Sequence, residues 1–158
     1  MDLILTGVLA GVLGTLAMDV LNHLFARTGV LLRIDVVMIG RMSAGWARGR
    51  FCYSHPSEMK PVANEKLIGY ITHYFIGVAL AIPFVLGWAY FFGGRPASPI
   101  WALAYGVATT VASVFFVYPS MGFGVFGMRS PEGIRAPFSS LANHLFFGMG
   151  MAVAVALA

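Results

Sequence analysis

The stretch LILTGVLAGVLGTLAMDVLNHLFA, Leu3–Ala26, decides the fold. It is longer than the roughly 20 apolar residues that a helix needs to cross about 30 Å of hydrocarbon. An isolated strand of this composition would leave its amides unpaired in lipid, so helix is the only state open to it. Three further runs follow, at Leu67–Phe92, Pro99–Val117 and Phe138–Leu157. The expected fold is an all-α membrane protein, a bundle of four transmembrane helices forming a single integral domain over 1–158. Composition agrees, with 59% hydrophobic and 10% charged residues, which excludes an ordinary soluble domain. Pro83, alone inside the second run, predicts a mild kink. The first run has no positive charge before it, only Met1 and Asp2, and is expected to be retained instead of removed as a secretory signal.

Charge sets the expected orientation. Seven basic residues, Arg27 to Lys66, flank or fill the first connection, Arg129 and Arg135 the third, and Arg95 alone the second. The positive-inside rule then places the first and third connections in the cytoplasm and both termini outside the inner membrane. The same residues account for the net charge of +4 and make anionic lipid head groups the expected partner. No nucleic-acid-binding motif accompanies them, so a nucleic-acid partner is not expected. The single cysteine, Cys52, excludes an intrachain disulfide. With His55 it offers only two ligands, too few for a metal site.

Small residues at every fourth position mark packed faces in lipid, where the hydrophobic effect does not drive helix against helix. The rows read Gly7, Gly11, Thr15, Asp19, His23; then Gly69, His73, Gly77, Ala81; then Ala102, Gly106, Thr110; and last Ser140, His144, Gly148, Ala152, Ala156. Ionisable residues therefore fall within the faces expected to meet. At about 1.5 Å rise per residue, Asp19 lies ~12 Å from Arg27, while His73 and His144 each lie ~10 Å into their runs. An acid and two imidazoles at one level are expected to form a polar centre, with His23 shallower. Asn22, Asn143, Ser139, Ser140 and Tyr118 are available to hydrogen-bond around it. Such a centre either holds helices in register or performs a function.

The connections add candidates. Asp35 is placed to cap a short interfacial helix reaching about Arg48, with Trp46 at head-group level. His55 and Glu65 are candidates for a gate over the centre, and Arg129 and Arg135 for its mouth. Gly122-Phe123-Gly124-Val125-Phe126-Gly127 matches the dinucleotide fingerprint in letters only, since no strand precedes it. This apolar glycine run is expected to re-enter the bilayer or to let the backbone approach a neighbour. Ser130-Pro131-Glu132 reads as a capped turn.

Several stretches together resemble a known family: GVLGTLAMD at 11–19, Gly40-Arg41-Met42 and Gly49-Arg50-Phe51, NEKLIGYITHYFIG at 64–77, YPSMGFGVFGMRSP at 118–131 and NHLFFG at 143–148. They are similar to small bacterial inner-membrane proteins known only as a domain of unknown function, over nearly the whole chain. The family pattern carried onto this sequence comprises Asp19, Gly49, Phe51, His55, Glu65, His73, Pro119, Gly122, Gly124, Arg129, Pro131 and His144. Where Tyr118 stands here, the pattern commonly has glutamine. The resemblance implies four membrane helices and no particular reaction.

Three functions compete. Asp19, His73 and His144 are suited to binding or relaying a small solute or proton, with anions favoured by a basic mouth and a homodimer supplying a wider path. An accessory or scaffold subunit of a larger membrane complex would use the centre for packing alone. The same three residues are candidate ligands for a divalent transition metal, catalytic or carried. No nucleophile elbow or phosphate loop supports a hydrolase, and the balance is against an enzyme.

Overall fold

The computed structural model describes residues 2–93 and 97–158, so Arg95 lies outside the described residues. The described residues form an all-helical protein. The first span, α1 (Leu3–Arg27), is capped by Asp2, which accepts from the Ile4 amide at 2.8 Å. A short helix, α2 (Val36–Trp46), follows and is capped by Asp35, as the sequence predicts. The remaining spans are α3 (Glu65–Phe91), α4 (Pro99–Ser120) and α5 (Arg135–Ala156). These four long helices have the length and composition to cross a membrane. Helix α3 runs on through Pro83.

Spans α3, α4 and α5 extend two or three residues past the hydropathy limits at the end that carries the first and third connections. Apolarity stops at the membrane edge, but a helix continues as long as its own backbone bonds can form. Pro119 does not stop α4, because it sits in the first turn of the closing Tyr118–Ser120 segment.

The helices form an arc. Helix α1 packs between α3 and α5, and α5 packs between α1 and α4. The glycines of the four-residue rows allow these approaches. A Cβ on Gly11 would lie 2.8 Å from the Val78 nitrogen, and one on Gly148 would lie 2.7 Å from the Leu103 carbonyl oxygen. At Gly106 a side chain would overlap Gly148 itself. Large apolar side chains such as Phe75, Ile71, Val111 and Val153 point outward from the bundle, where lipid would meet them.

Helices α3 and α4 close the arc through side chains. The Tyr105 hydroxyl donates to the Leu80 carbonyl at 2.8 Å, and the Phe84 and Tyr105 rings lie 4.8 Å apart. Toward the connection end the gap is spanned by α2. Gly40 of α2 rests on the Glu65 backbone, while Trp46 at its other end packs on Phe116 of α4 at 5.5 Å. Trp46 is half-buried in this bridge. Met42 of α2 packs with Met59 and Met121 as a small core.

Candidate functional site

The gap between α3 and α4, roofed by α2, holds a partly open chamber of about 410 Å³. Its wall is largely apolar, with Ile76, Leu80, Val117 and Phe147 among its members. His73, Ser113, Ser140, Asn143 and His144 supply polar groups inside it, and Arg33, Asp35 and Glu132 border it at the connection end. Both cavity histidines are among those singled out by the sequence.

Asp19 and His73 meet across α1 and α3. Nε2 of His73 lies 3.0 Å from Oδ1 of Asp19, with side chains 13% and 23% exposed. A carboxylate can only accept, so the proton between them belongs to Nε2. The pair arises because Gly77 and Thr15, one turn further in on the same faces, bring the helices into contact. Among the described residues Nδ1 of His73 has no partner. Asp19 itself does not border the chamber.

His144 is held separately. Its Nδ1 lies 2.7 Å from the Thr109 hydroxyl, which lies 2.5 Å from the Gly106 carbonyl. A hydroxyl has one proton to give, and two oxygens at that separation must share it. Thr109 therefore donates to Gly106 and accepts from His144, which places the imidazole proton on Nδ1 and leaves Nε2 as an acceptor. Thr109 also marks a departure from regular helix. The backbone turns there and winds into a π-helical segment at Ser113–Val117; hydroxyl bonding to a preceding carbonyl bends helices in this way. Within that segment Ser113 accepts from Ser140 at 2.9 Å.

The amides beside the histidines hold the chain together. Asn22 donates to Asn143 Oδ1 and to the Leu32 carbonyl, each at 2.9 Å, and accepts from the Ile34 amide at 3.1 Å. The Ser139 hydroxyl accepts from the Leu32 amide at 2.9 Å. The segment 32–35, part of the chamber wall, is thus pinned against α1 and α5. Tyr118 is likewise engaged, donating to the Ala136 carbonyl at 2.7 Å.

Other expected site residues lie elsewhere. His23 is exposed and does not border the chamber. Each four-residue step advances an α-helix about 40° beyond a full turn, so a row begun at Gly7 has rotated away by His23, and Asn22 takes the inward position. His55 is exposed and caps the turn at Pro56–Glu58, its Nδ1 accepting from the Ser57 amide at 3.2 Å. Glu65 clamps Arg41 through two bonds of 2.7 and 3.0 Å, and that carboxylate, chiefly through its hydrogen bond, holds the guanidinium above its ordinary value.

Arg129 donates to the Ser54 carbonyl at 3.3 Å, and Arg135 to the Gly29 carbonyl at 2.7 Å and to Glu132. These arginines join the first connection to the third, and neither borders the chamber. The expected basic mouth is therefore corrected to one arginine and two acids. In the glycine-rich connection the backbone approaches a neighbour, as one of two expectations had it. Gly122, at φ 85°, lies against His55 and Pro56, where a Cβ would come within 2.6 Å of the His55 carbonyl carbon. The Ser130 hydroxyl accepts from the Glu132 amide at 3.2 Å, forming the expected capped turn.

No group of three metal-ligating side chains occurs among the described residues, and Asp19, His73 and His144 do not make one. His144 is bonded to Thr109 and makes no hydrogen bond to the Asp19–His73 pair. Cys52 is an exposed free thiol. Sequence reasoning missed Thr109 and Arg41. It also missed the concentration of sulfur, for four of nine methionines, Met18, Met38, Met42 and Met121, line the chamber. The spacing of Met38 and Met42, one turn apart on α2, is the signal that was available.

The model of the DUF2938 family, proteins of unknown function, matches residues 8–158. No curated protein and no solved structure matches.

Proposed function

We propose that this chain, which belongs to the DUF2938 family of proteins of unknown function, binds a small solute in the chamber between α3 and α4 and exchanges protons there through His73. The observation that carries this reading is that one largely apolar chamber is lined by two histidines, each with a ring nitrogen that has no partner among the described residues. A volume of about 410 Å³ lies within the range of small-molecule pockets, which are typically apolar with a few placed polar groups. An ionisable residue at membrane depth is costly and is kept where it works or is paired. Asp19 supplies the paired charge, and imidazole exchanges protons near neutral pH. The distribution of basic residues supports a bacterial inner membrane with the α2 end in the cytoplasm, from which the solute enters.

The test is a thermal-unfolding screen of small amphipathic solutes on protein in lipid nanodiscs. A ligand of the folded state raises its stability by about 2.7 kcal/mol at a hundred times Kd. Solutes that stabilise the wild type should leave Ser113→Phe, whose new ring fills the chamber, unmoved. Equal stabilisation of both proteins, or of neither by any solute, would contradict the proposal.

A further inference from the structure

We infer that the solute is a neutral aromatic molecule carrying a hydroxyl or N–H donor, received by Nε2 of His144. This rests on the chamber being a binding site and goes on to say what it binds. Thr109 decides the polarity of the contact. With the His144 proton committed to Thr109 at 2.7 Å, the nitrogen left over is an acceptor, and it selects a partner that donates. A buried acceptor left unpaired is penalised, so a solute lacking the donor is rejected.

Charge argues in the same direction. The arginine that borders the chamber, Arg33, shares that border with two acids, Asp35 and Glu132. A carboxylate or phosphate brought to His144 would set its own acceptor oxygens against the Nε2 lone pair, and the arginine on the wall is already outnumbered by Asp35 and Glu132, so the anion's charge goes uncompensated, which is expensive. The wall itself suits an aromatic body. Met18, Met38, Met42 and Met121 present flexible thioethers, which mould to irregular shapes and make favourable contacts with ring edges.

Three probes of one skeleton test the inference: 2-naphthol, its methyl ether 2-methoxynaphthalene, and the anion 2-naphthoate. Each is titrated against the full chain with nitrogen-labelled histidine in nanodiscs, at matched membrane concentration, with Ser113→Phe as the reference for signals arising outside the chamber. The expected result is a saturable shift of the His144 Nε2 resonance with 2-naphthol, and affinity at least about tenfold above that for the ether, the ratio of one donated hydrogen bond. Thr109→Val should erode that preference and Thr109→Ser should keep it. Equal binding of naphthol and ether, or tighter binding of naphthoate, would overturn the inference while leaving the chamber as a binding site. Binding of none of the three, or signals identical in Ser113→Phe, would remove both readings together.

Discussion

Thr109 sets the proton position of His144, because its hydroxyl spends its only hydrogen on the Gly106 carbonyl and accepts from the ring at 2.7 Å. Thr109→Val keeps the side-chain shape and deletes the acceptor. The variant should lose about 1 to 2 kcal/mol of stability from the unsatisfied ring N–H, and its nitrogen spectrum should show His144 in mixed tautomers. Thr109→Ser should behave as wild type. An unchanged tautomer in the valine variant would mean that another group orients the ring.

Gly148 and Leu157 provide a contrast along one helix. A leucine at Gly148 would drive into the Leu103 backbone of α4, whereas Leu157 is 78% exposed. Gly148→Leu should cost about 1 to 3 kcal/mol or prevent assembly, and Leu157→Ala should be close to neutral. Thermal unfolding in detergent compares them, and equal midpoints would place the glycine row on the lipid side.

Asn22 serves three partners with one amide. Asn22→Ala should destabilise by on the order of 3 kcal/mol, since Asn143 and the 32–35 backbone lose their partners together. Combined with Asn143→Ala the losses should be less than additive. Additive losses would show that the two amides act independently.

The Arg41–Glu65 clamp fastens α2 to the start of α3. Glu65→Gln should lower the unfolding midpoint and speed proteolytic cleavage within the first connection, because α2 is released more often. Glu58, more exposed than Glu65 and paired with Arg50 within the same connection, is the control, and Glu58→Gln should change neither reading. Identical cleavage rates in the two variants would mean that α2 is held by backbone packing alone.

The fold was legible because hydropathy reports membrane depth directly, and the Asp35 cap announced α2 in the same local terms. Asp19 and His73 were legible as partners, since depth and the glycine rows placed both on facing surfaces at one level. Thr109 was not, because a threonine in an apolar helix looks alike whether its hydroxyl satisfies only its own backbone or also a ring. The π-helical turn at Ser113–Val117 is a change in backbone pairing that side-chain pattern does not encode. Arg129 and Arg135 looked like anion sites because their true partners, carbonyls of Ser54 and Gly29, are far off in sequence and carry no residue signature. His23 was misplaced by carrying a four-residue row farther than the helical period allows.

Thiol accessibility decides whether a solute reaches the two histidines through the end roofed by α2. In a Cys52→Ser background, a cysteine is introduced at Ser113 on the chamber wall or at Ala102, which is fully buried between α4 and α5. Each protein is reacted in sealed vesicles with a small water-soluble methanethiosulfonate applied from the side of the first connection. Ser113→Cys should be labelled readily, with labelling slowed by Ser140→Phe in the same chain, while Ala102→Cys stays inert. Labelling of Ser113→Cys no faster than that of Ala102→Cys would show that the chamber is sealed, and would contradict its role as a binding site.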